Sequence, residues 1–186
     1  MTWQIQLKYL EEKKEWDTAI EFMQDVINEE PKNLKAYLLT IYLLMNLLVE
    51  ENHDESKHDF YENLLKKYFK ESYNLFGNNA EYLFFMGRIA VMSEWYVDLE
   101  FEDAEKMLRK SHELEPDNIL CKWINFGYLS IENYKNSEIV SYAQLVLQED
   151  SPIKNILSTY GSLGEYVLEM MTGWSKKIVE GKNPYK

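Results

Sequence analysis

Residues 16–33 read WDTAIEFMQDVINEEPKN, and residues 101–118 read FEDAEKMLRKSHELEPDN. In each, an aromatic residue (Trp16, Phe101) stands three before an alanine (Ala19, Ala104), and an apolar residue (Met23, Leu108) follows the alanine by four. Val26 or Ser111 comes three further on, and a proline (Pro31, Pro116) five beyond that. Positions i, i+4 and i+7 lie along one side of a helix, so each stretch carries a single buried stripe. The small alanine lets a second helix approach closely, and the proline, which has no N–H to donate, ends the element. Both stretches therefore read as packing helices that need partners.

The flanking sequence supplies partners. Residues 1–14 carry Trp3, Leu7 and Leu10 on one helical side, and residues 16–30 return antiparallel to them. Residues 34–49, LKAYLLTIYLLMNLLV, form the next helix, apolar almost all round, which predicts either cover by neighbours on every side or an inner face that forms a hydrophobic binding strip. Its partner spans 58–76, with Leu64, Leu65, Phe69, Tyr73 and Phe76 as the expected stripe and Gly77 as a left-handed cap. Residues 80–92 precede the second copy, 119–131 and 137–148 make a further pair, and 152–160 and 163–180 finish the chain. In the last of these, Tyr166, Val167, Met170, Met171, Trp174 and Ile178 make the apolar stripe, with Glu165, Glu169, Lys176 and Lys177 on the outer face.

Through the aromatic–alanine–proline pattern, with Trp3 and Tyr37 at matching first-helix positions and Met86-Gly87 where a leucine-glycine pair is usual, the chain resembles tetratricopeptide repeat proteins. The resemblance is strongest over 1–118. It implies an all-α fold of antiparallel helix pairs stacked as a short right-handed superhelix. One domain over 1–186 would hold repeats at about 1–33, 34–79, 80–118 and 119–152, with a capping helix over 153–186. It also implies a role in protein recognition rather than catalysis. One subclass of the family clamps a carboxyl-terminal peptide with basic and amide groups. The matching positions here are Gln4, Lys8, Leu39, Glu81 and Phe85, of which only Lys8 is basic, so that activity is not implied.

Composition agrees with a helical, folded chain: 46% of its 186 residues are hydrophobic and 15% aromatic, with only seven glycines and four prolines to interrupt helices. Twenty Lys and Arg against 32 Asp and Glu leave a net charge of −12. Such a surface repels nucleic-acid phosphates and anionic lipids and attracts cationic proteins. Cys121 is a lone cysteine, so no internal disulfide is expected. The start of the chain has no basic-then-apolar leader pattern, and the longest apolar run, 34–49, contains Thr40 and Asn46 and is shorter than the roughly 18 residues a membrane span needs. A cytoplasmic protein is expected.

No HExxH, paired-cysteine, glycine-rich phosphate or nucleophile-elbow pattern occurs, and in so acidic a chain paired carboxylates are uninformative. No enzyme activity, cofactor or metal is expected. EENHDESK at 50–57 reads as a solvated connector, because His53 and His58, five apart, do not share a helical face. Two binding surfaces are candidates. EWYVDLEFEDAE at 94–105 interrupts the repeat period with carboxylates around aromatic anchors, and Glu94, Trp95, Tyr96, Asp98, Glu100, Glu102 and Asp103 would contact a basic partner, as an immunity protein contacts a toxin. Alternatively, Lys8, Leu38, Tyr42, Met45, Phe84 and Arg88 would line the concave groove of a secretion chaperone or adaptor and hold a hydrophobic segment.

Overall fold

A computed structural model describes residues 2–128 and 136–184. All the regular secondary structure among the described residues is helical, with no strand among them. The chain divides into two compact units, Met1–Met107 and Leu108–Lys186.

The first unit begins with α1 (Trp3–Glu12) and α2 (Trp16–Glu29), which pack on each other across a three-residue turn. Lys14 in that turn takes a left-handed conformation, φ 55°. In α2 the anticipated stripe is buried: Ala19, Met23 and Val26, joined by Ile20 and Ile27. The equivalent Ala104, Leu108 and Ser111 of α6 (Phe101–Leu114) are buried too. α3 (Leu34–Val49) opens where Asn33 accepts a hydrogen bond from the Ala36 N–H at 3.1 Å, and α5 (Ala80–Ser93) opens the same way, Asn79 accepting from Tyr82 at 2.9 Å. Each amide side chain satisfies a backbone donor that the first helical turn leaves free.

α3 packs against α2, α4 (His58–Phe76) and α5, and 12 of its 16 residues are buried. That cover explains its apolar circumference. On α4 the buried stripe is Tyr61, Leu64, Leu65, Tyr68 and Ser72. The expected stripe is thus corrected: Tyr73 is exposed and Phe69 and Phe76 only half-buried, because the helix is rotated to point Tyr61 and Tyr68 inward. Buried Tyr82 meets Ser72 there, hydroxyl to hydroxyl at 2.8 Å. Gly77 is not left-handed either. It sits at φ −64°, and what it offers is the missing side chain, since a Cβ would lie 2.6 Å from the Tyr73 carbonyl oxygen.

The second unit holds α7 (Ser137–Leu147), α8 (Pro152–Leu157), a 3-10 turn (Ser158–Tyr160) and α9 (Gly161–Val179), with α7, α8 and the turn all packed on α9. Ser151 caps α8 ahead of Pro152, which suits the first helical position because its nitrogen has no hydrogen to leave unsatisfied. Leu163, Val167, Met171, Trp174 and Ile178 of α9 are buried, while Glu165, Glu169, Lys176 and Lys177 face water. The regular helix expected over 119–131 is instead a single π-type turn, Ile124–Tyr128, after an irregular entry, and residues 129–131 lie outside the described residues.

Candidate functional site

Of the residues expected to line a groove, only Lys8 is exposed. Leu38, Met45 and Phe84 have no accessible surface, and Tyr42 and Arg88 retain 8% and 6%. The groove expectation is corrected accordingly. α3 and α5 pack on each other, so the sides of these helices that would line an open concave surface form the core of the first unit.

The acidic-aromatic stretch is a surface feature. After α5, residues Glu94–Val97 make one 3-10 turn that packs against both α4 and α5. Val97 is its buried peg at 5% exposure. Asp98 then reverses the chain in a left-handed conformation, φ 54°, and the Leu99 N–H donates to the Glu94 carbonyl at 3.0 Å. Aspartate tolerates that region better than most residues because its short polar side chain can bond locally. With Val97 inward, Trp95 is turned out at 57% exposure, beside the Tyr96 ring at 5.7 Å, and Phe101 follows at 42%.

The carboxylates around Trp95 are not equivalent. Asp98 pairs with Lys66 of α4 at 3.1 Å, a lysine shared with Glu62 at 2.9 Å. Asp103 accepts from Lys106 at 2.6 Å and from the Glu100 backbone N–H at 3.4 Å, which holds its carboxyl below the usual value. Glu100 and Glu102 face water, and Glu94 is half-buried. The stretch contains no basic residue, yet the fold brings Lys66 to it from α4.

Sequence reasoning missed a second cluster that abuts this turn. The connector at 50–57 folds back on the start of α4, so His53 Nε2 lies 3.1 Å from His58 Nδ1 and the two rings stack at 5.3 Å. Their separation by five residues would part them on a helix, but His53 is not on one. The His58 ring also meets Tyr96 at 6.0 Å, and His53 meets Tyr61 at 5.8 Å. The connector is tied to the α1–α2 corner by Lys14–Glu51 at 2.8 Å and Lys57–Asp17 at 2.6 Å, and Tyr61 donates its hydroxyl to Asp17 at 2.6 Å. Those hydrogen bonds, from Lys57 first and then Tyr61, hold the Asp17 carboxyl below the ordinary range, while burial and the Asp17 charge push the Tyr61 phenol upward. A carboxyl depressed in the folded state stabilises above its ordinary value, and that contribution disappears as pH falls through the depressed value. Both partners are substantially exposed, so solvent screening keeps it small. Lys14, Trp16, Asp17, His53 and Tyr61 border a cavity of about 330 Å³.

Among the described residues no group of three or more His, Cys, Asp or Glu side chains is arranged to hold a metal ion, and no helix is long and apolar enough to cross a membrane. Compared with family models, curated proteins and solved structures, the chain finds no match. The class it defines is an all-α protein whose first unit presents one exposed indole on a carboxylate-rich stretch of chain.

Proposed function

We propose that this chain is a non-enzymatic binding protein that holds a basic protein against the Trp95 turn, in the manner of an immunity protein neutralising a toxin. The observation that carries the reading is the exposed Trp95 on a turn fixed by buried Val97, followed along the chain by Asp98, Glu100, Glu102 and Asp103. An exposed tryptophan on a rigid backbone supplies contact area at little entropic cost, and arginine stacks well on an indole face. The net charge of −12 speeds encounter with a cationic surface, and carboxylates at the rim set approach and orientation more than final affinity.

The two kinds of contact predict different kinetics. Reversing Asp98, Glu100, Glu102 and Asp103 to lysine should slow association with the basic partner by about tenfold or more at low salt, with the difference shrinking as salt rises. Trp95→Ala should mainly speed dissociation, costing about 2 kcal/mol or more if the indole is the anchor. The partner is recovered at low salt from the cell that makes this protein, identified by mass spectrometry, and its binding followed by surface plasmon resonance. A partner that is not basic, or one bound equally well by both variants, removes the turn from the mechanism.

A further inference from the structure

We propose that the stacked His53–His58 pair is an acid-sensitive latch beside the Trp95 turn, so that the binding surface named above is held in its binding arrangement at neutral pH and loosened in acid. The inference rests on that reading for its biological meaning, but the latch is a property of the free protein and is testable without a partner.

Hydrogen positions follow from the contacts. His53 Nδ1 lies 3.4 Å from the Glu51 carbonyl oxygen, which can only accept, so Nδ1 carries the hydrogen. In a neutral ring His53 Nε2 is then bare and accepts from His58 Nδ1–H across 3.1 Å. One added proton leaves a single hydrogen between the two facing nitrogens, and the bond persists. A second puts a hydrogen on each, N–H against N–H, with two positive rings stacked at 5.3 Å. The contact cannot survive that state.

Most of the charged groups around the pair are engaged elsewhere, the half-buried Glu94, which has one buried and unpartnered oxygen, excepted. From the connector itself, Glu51 is engaged by Lys14 and Asp54 accepts from Ser56. From the α1–α2 corner, Asp17 is held by Lys57 and by Tyr61 of α4, and Glu15 is exposed. Glu62, also on α4, is paired with Lys66, and Glu94 and Tyr96 come from the 3-10 turn. Lys14 and Lys57 add positive charge on the same side. Because Asp17 is held below the ordinary carboxylate range, the Lys57 clamp stays closed while imidazoles gain protons, and the movement is confined to His53, His58 and what leans on them. What leans on His58 is Tyr96, and Trp95 is packed beside Tyr96. Separating the rings takes away the His58 contact with Tyr96, one of several that hold a turn still anchored by Val97, and places new positive charge near its carboxylates. Both changes weaken the hold on a cationic partner.

The test is nuclear magnetic resonance of the intact free protein from about pH 7.5 to about pH 5, the interval in which histidine changes charge. The Trp95 indole signal, assigned through Trp95→Phe, should shift as pH falls, and the shift should be lost in the His53→Gln, His58→Gln double variant. It should survive in His112→Gln, which removes the third histidine. Imidazole nitrogen spectra of the unaltered protein at neutral pH should show both rings protonated at Nδ1, a result that needs no variant to fold. A Trp95 signal that stays put, a shift undiminished in the double variant, or Nε2–H rings at neutral pH overturns the latch. A shift that behaves as described in a protein that binds no basic partner sustains the latch and sinks the proposed function instead.

Discussion

Phe84→Ala is expected to lower the stability of the protein by about 3 to 5 kcal/mol, the usual effect of emptying a buried aromatic site. Phe84 has no accessible surface, packs edge-on against Phe85 with ring centroids 5.2 Å apart, and lies on the helix that faces α3. Nothing around it can collapse easily, because α3 is itself held from other sides by α2 and α4. Since whole domains are stable by only about 5 to 15 kcal/mol, the variant should show a clearly lowered urea midpoint and a population of unfolded chain at physiological temperature. Were Phe84 part of an open groove, truncation would leave stability nearly untouched and change only binding. A loss below about 0.5 kcal/mol, the size typical of surface changes, would restore the groove.

A comparably large effect is expected at Gly164, with a control of opposite sign on the same helix. A Cβ at Gly164 would overlap the Leu157 carbonyl oxygen and lie 2.8 Å from its carbon and 3.1 Å from Tyr160 Cβ. Two of those atoms are backbone and cannot swing aside, so Gly164→Ala has to push α9 off the end of α8. Overpacking of that kind costs about 3 kcal/mol, at the upper end of its usual range. At Gly173, nine residues along α9, a Cβ would meet nothing within 4 Å. There alanine should stabilise by roughly 0.5 to 1 kcal/mol, through the better helix propensity alone. Thermal unfolding followed by circular dichroism separates the pair. Equal melting temperatures for the two variants would mean that α8 and α9 do not meet as described.

Much of the architecture was legible because local chemistry marked it. Pro152 opens α8, and the aromatic–alanine–proline spacing picks out α2 and α6 and their buried positions, whereas the asparagine caps of α3 and α5 came to light only in the structure. The apolar circumference of α3 was compatible with full burial or with a hydrophobic binding strip, and the packing of α2, α4 and α5 decides for burial. What escaped was whatever depends on rotation or on contact between distant residues. On α4 the face bearing Tyr61, Tyr68 and Ser72 is the buried one because Tyr61 reaches Asp17 and Ser72 reaches Tyr82, contacts 44 and 10 residues apart. The reason for Gly164 lies in Leu157, invisible to any helical periodicity. The exposed indole could be anticipated from an insertion rich in carboxylates. Its histidine neighbours could not, since helical geometry separates His53 from His58 and only a connector folded back on the helix brings them together.

The position of α3 has a dynamic consequence. A helix packed on α2, α4 and α5 is a wall common to all three, so none of them can detach without baring apolar surface on α3. At roughly 25 cal/mol per Å², uncovering even one side of such a helix is a large fraction of a domain's stability. Partial opening therefore offers little saving over complete unfolding, and the backbone amides along α3 should exchange with solvent only when the whole first unit comes apart.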